Sequence, residues 1–164
     1  MKIMSLWGNP FKKTGSDIAS EVDFISTVPV FDTLSKSQIA KIYKLIHVRH
    51  YNDGEIVYRQ GDPGVGMFII FEGSVDIYNE YPDLTREKKA ELKKGDFFGE
   101  ISLLNDSPRS ATIICSKNSI LFGLFRPNLL DLMDSDPKLG LRFIYRLSQI
   151  VAERFRLSLL ETSE

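Results

Sequence analysis

Apolar positions along this chain follow a helical rhythm at both ends and an alternating one in the middle. From Asp17 to Val28 they recur at Ile18, Val22, Ile25 and Val28, a helical spacing that Pro29 closes. Ser35 to His47 predicts a second helix, with Ser35 and Gln38 as a capping box and Ile39, Ile42, Tyr43 and Ile46 on one face. From Val48 the pattern changes. Short β-prone runs at Val48–Tyr51, Glu55–Tyr58, Met67–Phe71 and Ser74–Tyr78 alternate with turns rich in Gly, Asn and Asp. A charged loop over Thr85 to Lys89 leads into a strand ending near Leu92, and Ala111–Cys115 and Ile120–Phe125 follow. Eight or so short strands at this spacing predict a sandwich, jelly roll or barrel rather than a parallel sheet.

The chain then returns to helix. Arg126-Pro127-Asn128 opens a short one, with Asn128 as N-cap and Asp131 in its first turn. Asp136 caps a longer one that has Pro137 at its first position and runs to about Leu160. Phe143, Ile144, Leu147, Ile150, Val151 and Phe155 form its apolar stripe, with Arg142, Arg146, Glu153 and Arg156 opposite. Such a helix is roughly 30 Å long. It outreaches a small β-roll, so a second copy of the chain is expected on its stripe, as a homodimer. The expected divisions are a flexible tail over 1–15 that contains Trp7 and Phe11, helices over 16–47, a β-roll over 48–126, and C-terminal helices over 127–164. The fold class is α+β, mainly β, an eight-stranded jelly roll flanked by helices.

Composition acts mainly by exclusion. The 164 residues suit one domain, and a formal net charge of −1 disfavours a general nucleic-acid binder. The single cysteine, Cys115, excludes an internal disulfide and a Cys₄ metal site, and fits a reducing, cytoplasmic setting. No apolar run is long enough to span a bilayer, and the apolar start, Ile3 to Trp7, is too short for a signal-peptide core.

Candidate chemistry narrows in the same way. Gly61 to Gly66 is glycine-rich but lacks the Lys-Ser/Thr of a phosphate-binding P-loop, so a turn is the better reading. His47 and His50 are the only histidines, at a helix end without companion ligands; a surface or packing role outweighs metal binding. Two members of the Asp131, Asp134 and Asp136 cluster have capping roles. No nucleophile–base pair is evident, so neither a metal nor an enzyme activity is expected. What remains is Gly95 to Thr112. Two glycines flank Phe97-Phe98, an apolar run follows from Ile101 to Leu104, and a turn through Pro108 delivers Arg109. A helical turn beginning at Gly99 with Arg109 folded beside it makes an anion site, with Glu100 adjacent.

Phe98-Gly99-Glu100-Ile101-Ser102-Leu103-Leu104, three residues, then Pro108-Arg109-Ser110-Ala111-Thr112 resembles the phosphate-binding cassette of the cyclic nucleotide-binding domain family. Gln60-Gly61-Asp62, Gly73-Ser74-Val75 and Gly95-Asp96 also stand where that family places its turns. The resemblance covers about residues 29–160. It implies a cyclic nucleotide ligand, cAMP more than cGMP, with Arg109 on the cyclic phosphate and Glu100 on the ribose 2′-hydroxyl. The backbone around Gly99, Ile101, Ser102, Ser110 and Ala111 would complete the cradle, and Val75 would be an apolar wall. Ser102 and Ser110 replace the commoner alanines, and a hydroxyl at Ser110 occurs in binders of either nucleotide. The family's long C-terminal helix caps the ligand, which makes Arg146 and Ser158 candidates for touching the base. With no DNA-reading, kinase or pore segment in the sequence, the resemblance implies a free-standing sensor that signals to a separate effector protein. The alternative is a structural dimerisation module that retains the fold without the ligand.

Overall fold

The computed structural model describes residues 13–161. Helix α1 (Gly15–Ile25) opens on a capping box: the Thr14 side chain accepts from the Asp17 N–H, and the Asp17 carboxylate accepts from the Thr14 N–H. Thr14 and Gly15 therefore belong to a helix rather than to the expected tail, while Trp7 and Phe11 lie outside the described residues. A 3₁₀ turn at Pro29–Phe31 leads to α2 (Lys36–Tyr43), where Ser35 and Gln38 make the capping box their spacing predicts. Buried Glu21 joins the two helices by accepting from Lys13 Nζ and the Tyr43 hydroxyl.

Eight strands follow: β1 (His47–Tyr51), β2 (Ile56–Tyr58), β3 (Gly66–Glu72), β4 (Ser74–Glu80), β5 (Arg86–Lys93), β6 (Phe97–Phe98), β7 (Thr112–Cys115) and β8 (Ser119–Phe125). The single helical turn α3 (Ile101–Leu104) separates β6 from β7, and α4 (Arg126–Ser135) and α5 (Pro137–Glu161) close the chain. The strands form two four-stranded antiparallel sheets, ordered β1-β8-β3-β6 and β2-β7-β4-β5. This is a jelly roll, one of the three architectures that the strand spacing allows.

The two-residue period of the strands builds two cores. On β3, Met67 and Ile69 face the helices while Phe68 and Ile70 face the opposing sheet; on β8, Phe122 and Leu124 take the first side and Leu121 the second. The helical core unites Ile25, Phe31, Ile39 and Ile42 with Leu129, Phe143 and Leu147. The inter-sheet core holds Phe68, Ile70, Val75, Phe98, Ile113 and Cys115.

Four sequence expectations need correction. The charged stretch from Arg86 to Lys89 is not a loop but the first half of β5, an edge strand bonded on one side to β4, whose exposed lysines and glutamates discourage pairing with another chain. His47 and His50 lie on β1 rather than at a helix end, and an odd spacing on a strand sends them to opposite faces. Helix α4 is capped by Phe125, with Asn128 inside its first turn; Asp136 does cap α5, its Oδ1 accepting from the Leu139 N–H at 3.2 Å. Finally, the stripe of α5 is covered by the chain's own core over its first half and open only towards its end. Phe143 and Leu147 are fully buried against the chain's own helices and Phe155 is 65% exposed. Arg146, expected on the solvent side, reaches back to a bidentate pair with Asp32.

Candidate functional site

The site begins where β6 ends. Gly99 sits at φ +76°, and a Cβ there would lie 2.6 Å from Arg109 Nη1 and 3.1 Å from the Gly66 carbonyl oxygen. Only a glycine both adopts that backbone and leaves the guanidinium its place. Gly64 works similarly one loop away, where a Cβ would fall 2.0 Å from Ser102 Oγ. The turn from β6 into α3 therefore packs directly on the loop before β3.

Arg109 is 6% exposed. Its Nη1 donates to the carbonyls of Gly66 at 2.7 Å and Gly99 at 3.3 Å, and its guanidinium lies 4.0 Å from the Tyr58 ring centroid. Among the described residues no carboxylate pairs with it, and its Nε is buried without a hydrogen-bond partner. Burial pushes the guanidinium's pKa down, opposed through space by Tyr58 and Asp62. An arginine still keeps its charge at physiological pH, and a buried unpaired cation is costly. The arrangement has the chemistry of an anion site. Burial also pushes the neighbouring Tyr58 phenol up to about 12, so its hydroxyl stays protonated.

Arg109 opens into a cavity of about 560 Å³, ample for a nucleotide-sized ligand. Gly99, Glu100, Ile101, Ser102, Arg109, Ser110 and Ala111 all line it, so the cassette residues singled out in the sequence converge. The Ser102 N–H already donates to the Gly99 carbonyl at 3.2 Å. Val75 does not line the cavity; it is fully buried in the inter-sheet core, and Ile77, Leu92 and Ile113 supply the apolar wall. Val75 pairs with Leu92 and Cys115 across the sheet, so it shares the right strand but stands one pleat too deep.

Two residues that the sequence did not mark complete the site. One is Tyr58. The other is Arg154 of α5, whose Nη1 donates to Glu100 Oε1 at 2.7 Å while its guanidinium lies 4.2 Å from the Phe97 ring centroid. Glu100 itself is 9% exposed, so the ion pair joins the cassette to the last third of α5. The sequence held a signal for this. Residues 143, 147, 150 and 154 continue one helical face, and a charge on an otherwise apolar stripe calls for a partner. Of the two candidates for touching the base, Arg146 is paired with Asp32, and the Ser158 hydroxyl donates to the Phe155 carbonyl. Among the described residues no cluster of three or more metal-ligating side chains occurs, and no helix is long and apolar enough to cross a membrane.

A jelly roll that holds a buried arginine, without a carboxylate partner among the described residues, beside a cavity beneath a long helix has the chemistry to take a small anionic ligand. Residues 48–136 match the family described as cyclic nucleotide-binding domain, and the chain belongs to that family. It is 40% identical over 90 residues to a cAMP-dependent protein kinase regulatory subunit of Mycosarcoma maydis, which covers 55% of this chain and 17% of that protein. It is equally 40% identical over 94 residues to a cGMP-dependent protein kinase, isozyme 2 forms cD5/T2, of Drosophila melanogaster, covering 57% of this chain and 10% of that one. Among solved structures it resembles the regulatory domain of Toxoplasma gondii PKA co-crystallised with cAMP, with a TM-score of 0.70, 25% identity, and coverage of 84% of this chain and 51% of that one. The chain thus spans less than a fifth of the two curated relatives.

Proposed function

We propose that this chain is a cytoplasmic cyclic nucleotide receptor, favouring cAMP, that passes its state to a separate effector protein. The observation that carries the reading is Arg109: a buried guanidinium with no carboxylate partner and an unsatisfied Nε, facing a cavity large enough for a nucleotide. A cyclic phosphate supplies the missing charge, and a planar fork suits two phosphate oxygens at once. Glu100 takes the ribose 2′-hydroxyl, Gly99, Ile101, Ser102, Ser110 and Ala111 frame the phosphate, and the apolar wall of Ile77, Leu92 and Ile113 takes the base. The small hydroxyl of Ser110 suits either purine, and the relatives named above include kinases named for each nucleotide.

The switch lies in Glu100, which the ribose and Arg154 share. Ligand arriving at Glu100 alters the ion pair that ties α5 to the cassette, and so shifts the balance between capped and open positions of α5. The exposed face of α5 suits a second copy of the chain. Leu141, Tyr145, Ser148, Ala152, Phe155 and Leu159 recur at alternating spacings of four and three, the rhythm of a two-helix seam.

Calorimetric titration with cAMP and with cGMP tests the reading. Arg109→Leu is expected to cost about 2–5 kcal/mol of binding, as for removal of one partner of a buried charge pair. Undiminished affinity in that variant overturns the mechanism, and tighter binding of cGMP reverses the choice of nucleotide.

A further inference from the structure

The residue under Arg109 is aromatic, and this has a physical consequence. A buried guanidinium needs something to hold its plane. A carboxylate would do so, but it would also neutralise the charge and occupy the N–H edges that an anion must use. An aromatic ring engages the flat face instead, attracts the cation through its quadrupole, and leaves the edges free. Tyr58 meets that requirement. Its ring lies 4.0 Å from the Arg109 guanidinium carbon, and Nη1 is anchored at the edge by the Gly66 and Gly99 carbonyls. Nε has no partner. The ring is itself braced by Phe98, at 6.0 Å between centroids, and by Phe68 at 6.4 Å, and those two stack on each other at 5.6 Å. Three strands thus contribute one ring each to a floor under the guanidinium: β2, β3 and β6.

We propose that Tyr58 is a positioning residue for the anion site, whose ring face holds the Arg109 guanidinium in plane while leaving its charge unneutralised and its Nε edge without a competing protein partner. The role of that edge in binding rests on the cyclic nucleotide reading above. The holding of Arg109 does not, and the test separates the two.

The first arm needs no ligand. In proton–nitrogen NMR of the arginine side chains, the Arg109 Nε–H signal, assigned by its loss in Arg109→Leu, is expected to be shifted by the Tyr58 ring current. Tyr58→Phe keeps that shift, while Tyr58→Leu and Tyr58→Met move the signal towards that of an exposed arginine. A signal that stays in place in both aliphatic variants overturns the proposal. Two aliphatic variants guard against one failing to fold, which thermal melting reports. The second arm is cAMP calorimetry on the same proteins. Tyr58→Phe is expected to bind within about twofold of the wild type, and the aliphatic variants roughly tenfold more weakly, the scale of a desolvated cation–π contact. Wild-type affinity in the aliphatic variants overturns the proposal. So does a loss in Tyr58→Phe as large as theirs, because the hydroxyl would then be the contact. If the first arm succeeds and the wild type binds no cyclic nucleotide, the receptor reading fails and the positioning of Arg109 stands.

Discussion

At Gly99 a single missing Cβ governs both the backbone and the charge beside it. Its φ of +76° is a conformation that side-chain-bearing residues adopt only under strain, and the space a methyl would take belongs to Arg109 Nη1 and the Gly66 carbonyl. Gly99→Ala is therefore expected to destabilise the fold by about 1–3 kcal/mol in urea denaturation. It should also weaken nucleotide binding at temperatures where the protein remains folded, because the guanidinium must shift to admit the methyl. Retention of both wild-type stability and wild-type affinity would show that the β6–α3 turn relaxes more freely than this packing allows. Arg109 and Glu100 were legible as chemistry because their spacing belongs to a specific motif. Tyr58 was not. Its importance comes from which face of a three-residue strand meets a side chain fifty-one positions away, and no local pattern encodes that.

Helix α5 divides its work by length. Its first half is anchored by Phe143 and Leu147 in the helical core and by Arg146 on Asp32. Beyond Val151 every described side chain is exposed, and the bond from Arg154 to Glu100 is a polar tether to the cassette. Arg154 is 43% exposed, so solvent screens the pair and its direct share of stability is about 1 kcal/mol at most. Arg154→Ala should leave the melting temperature almost unchanged but speed amide hydrogen exchange over residues 151–160, the segment the tether restrains. Exchange equal to the wild type would remove Arg154 from the switch. The element most misread from sequence is β5, and the reason is physical. An edge strand facing solvent carries no apolar alternation, and its charges, the signature of a loop elsewhere, here protect an open sheet edge. Strand β6 was missed for the opposite reason: two buried phenylalanines are too short a run to show a period.

For the whole molecule, the proposed pairing of two copies would use the face of α5 that the chain's own core leaves exposed. Leu141, Tyr145 and Phe155 are each about two-thirds exposed, and Leu159 about half. Joint replacement of Tyr145 and Phe155 by glutamate should convert a dimer to a monomer in sedimentation. Neither residue lines the nucleotide cavity or belongs to the buried core, so thermal stability of the monomer should change little. A wild type that sediments as a monomer at every accessible concentration would leave that face to another partner.

The sequence alone determined those features whose causes are local. The capping boxes at Ser35 and the cap at Asp136 depend on residues within one turn of each other. The jelly-roll class depends on strand length and turn spacing, and the cassette on a motif of fifteen consecutive residues, Phe98 to Thr112. Tertiary structure decided whatever depends on two distant segments meeting. It placed Tyr58 under Arg109, set Ile77 rather than Val75 against the cavity, and brought Arg154 to Glu100. It also gave the apolar stripe of α5 to the chain's own core, leaving the opposite seam exposed. In each case periodicity narrows a side chain to a face of its element, while packing between elements decides what that face meets.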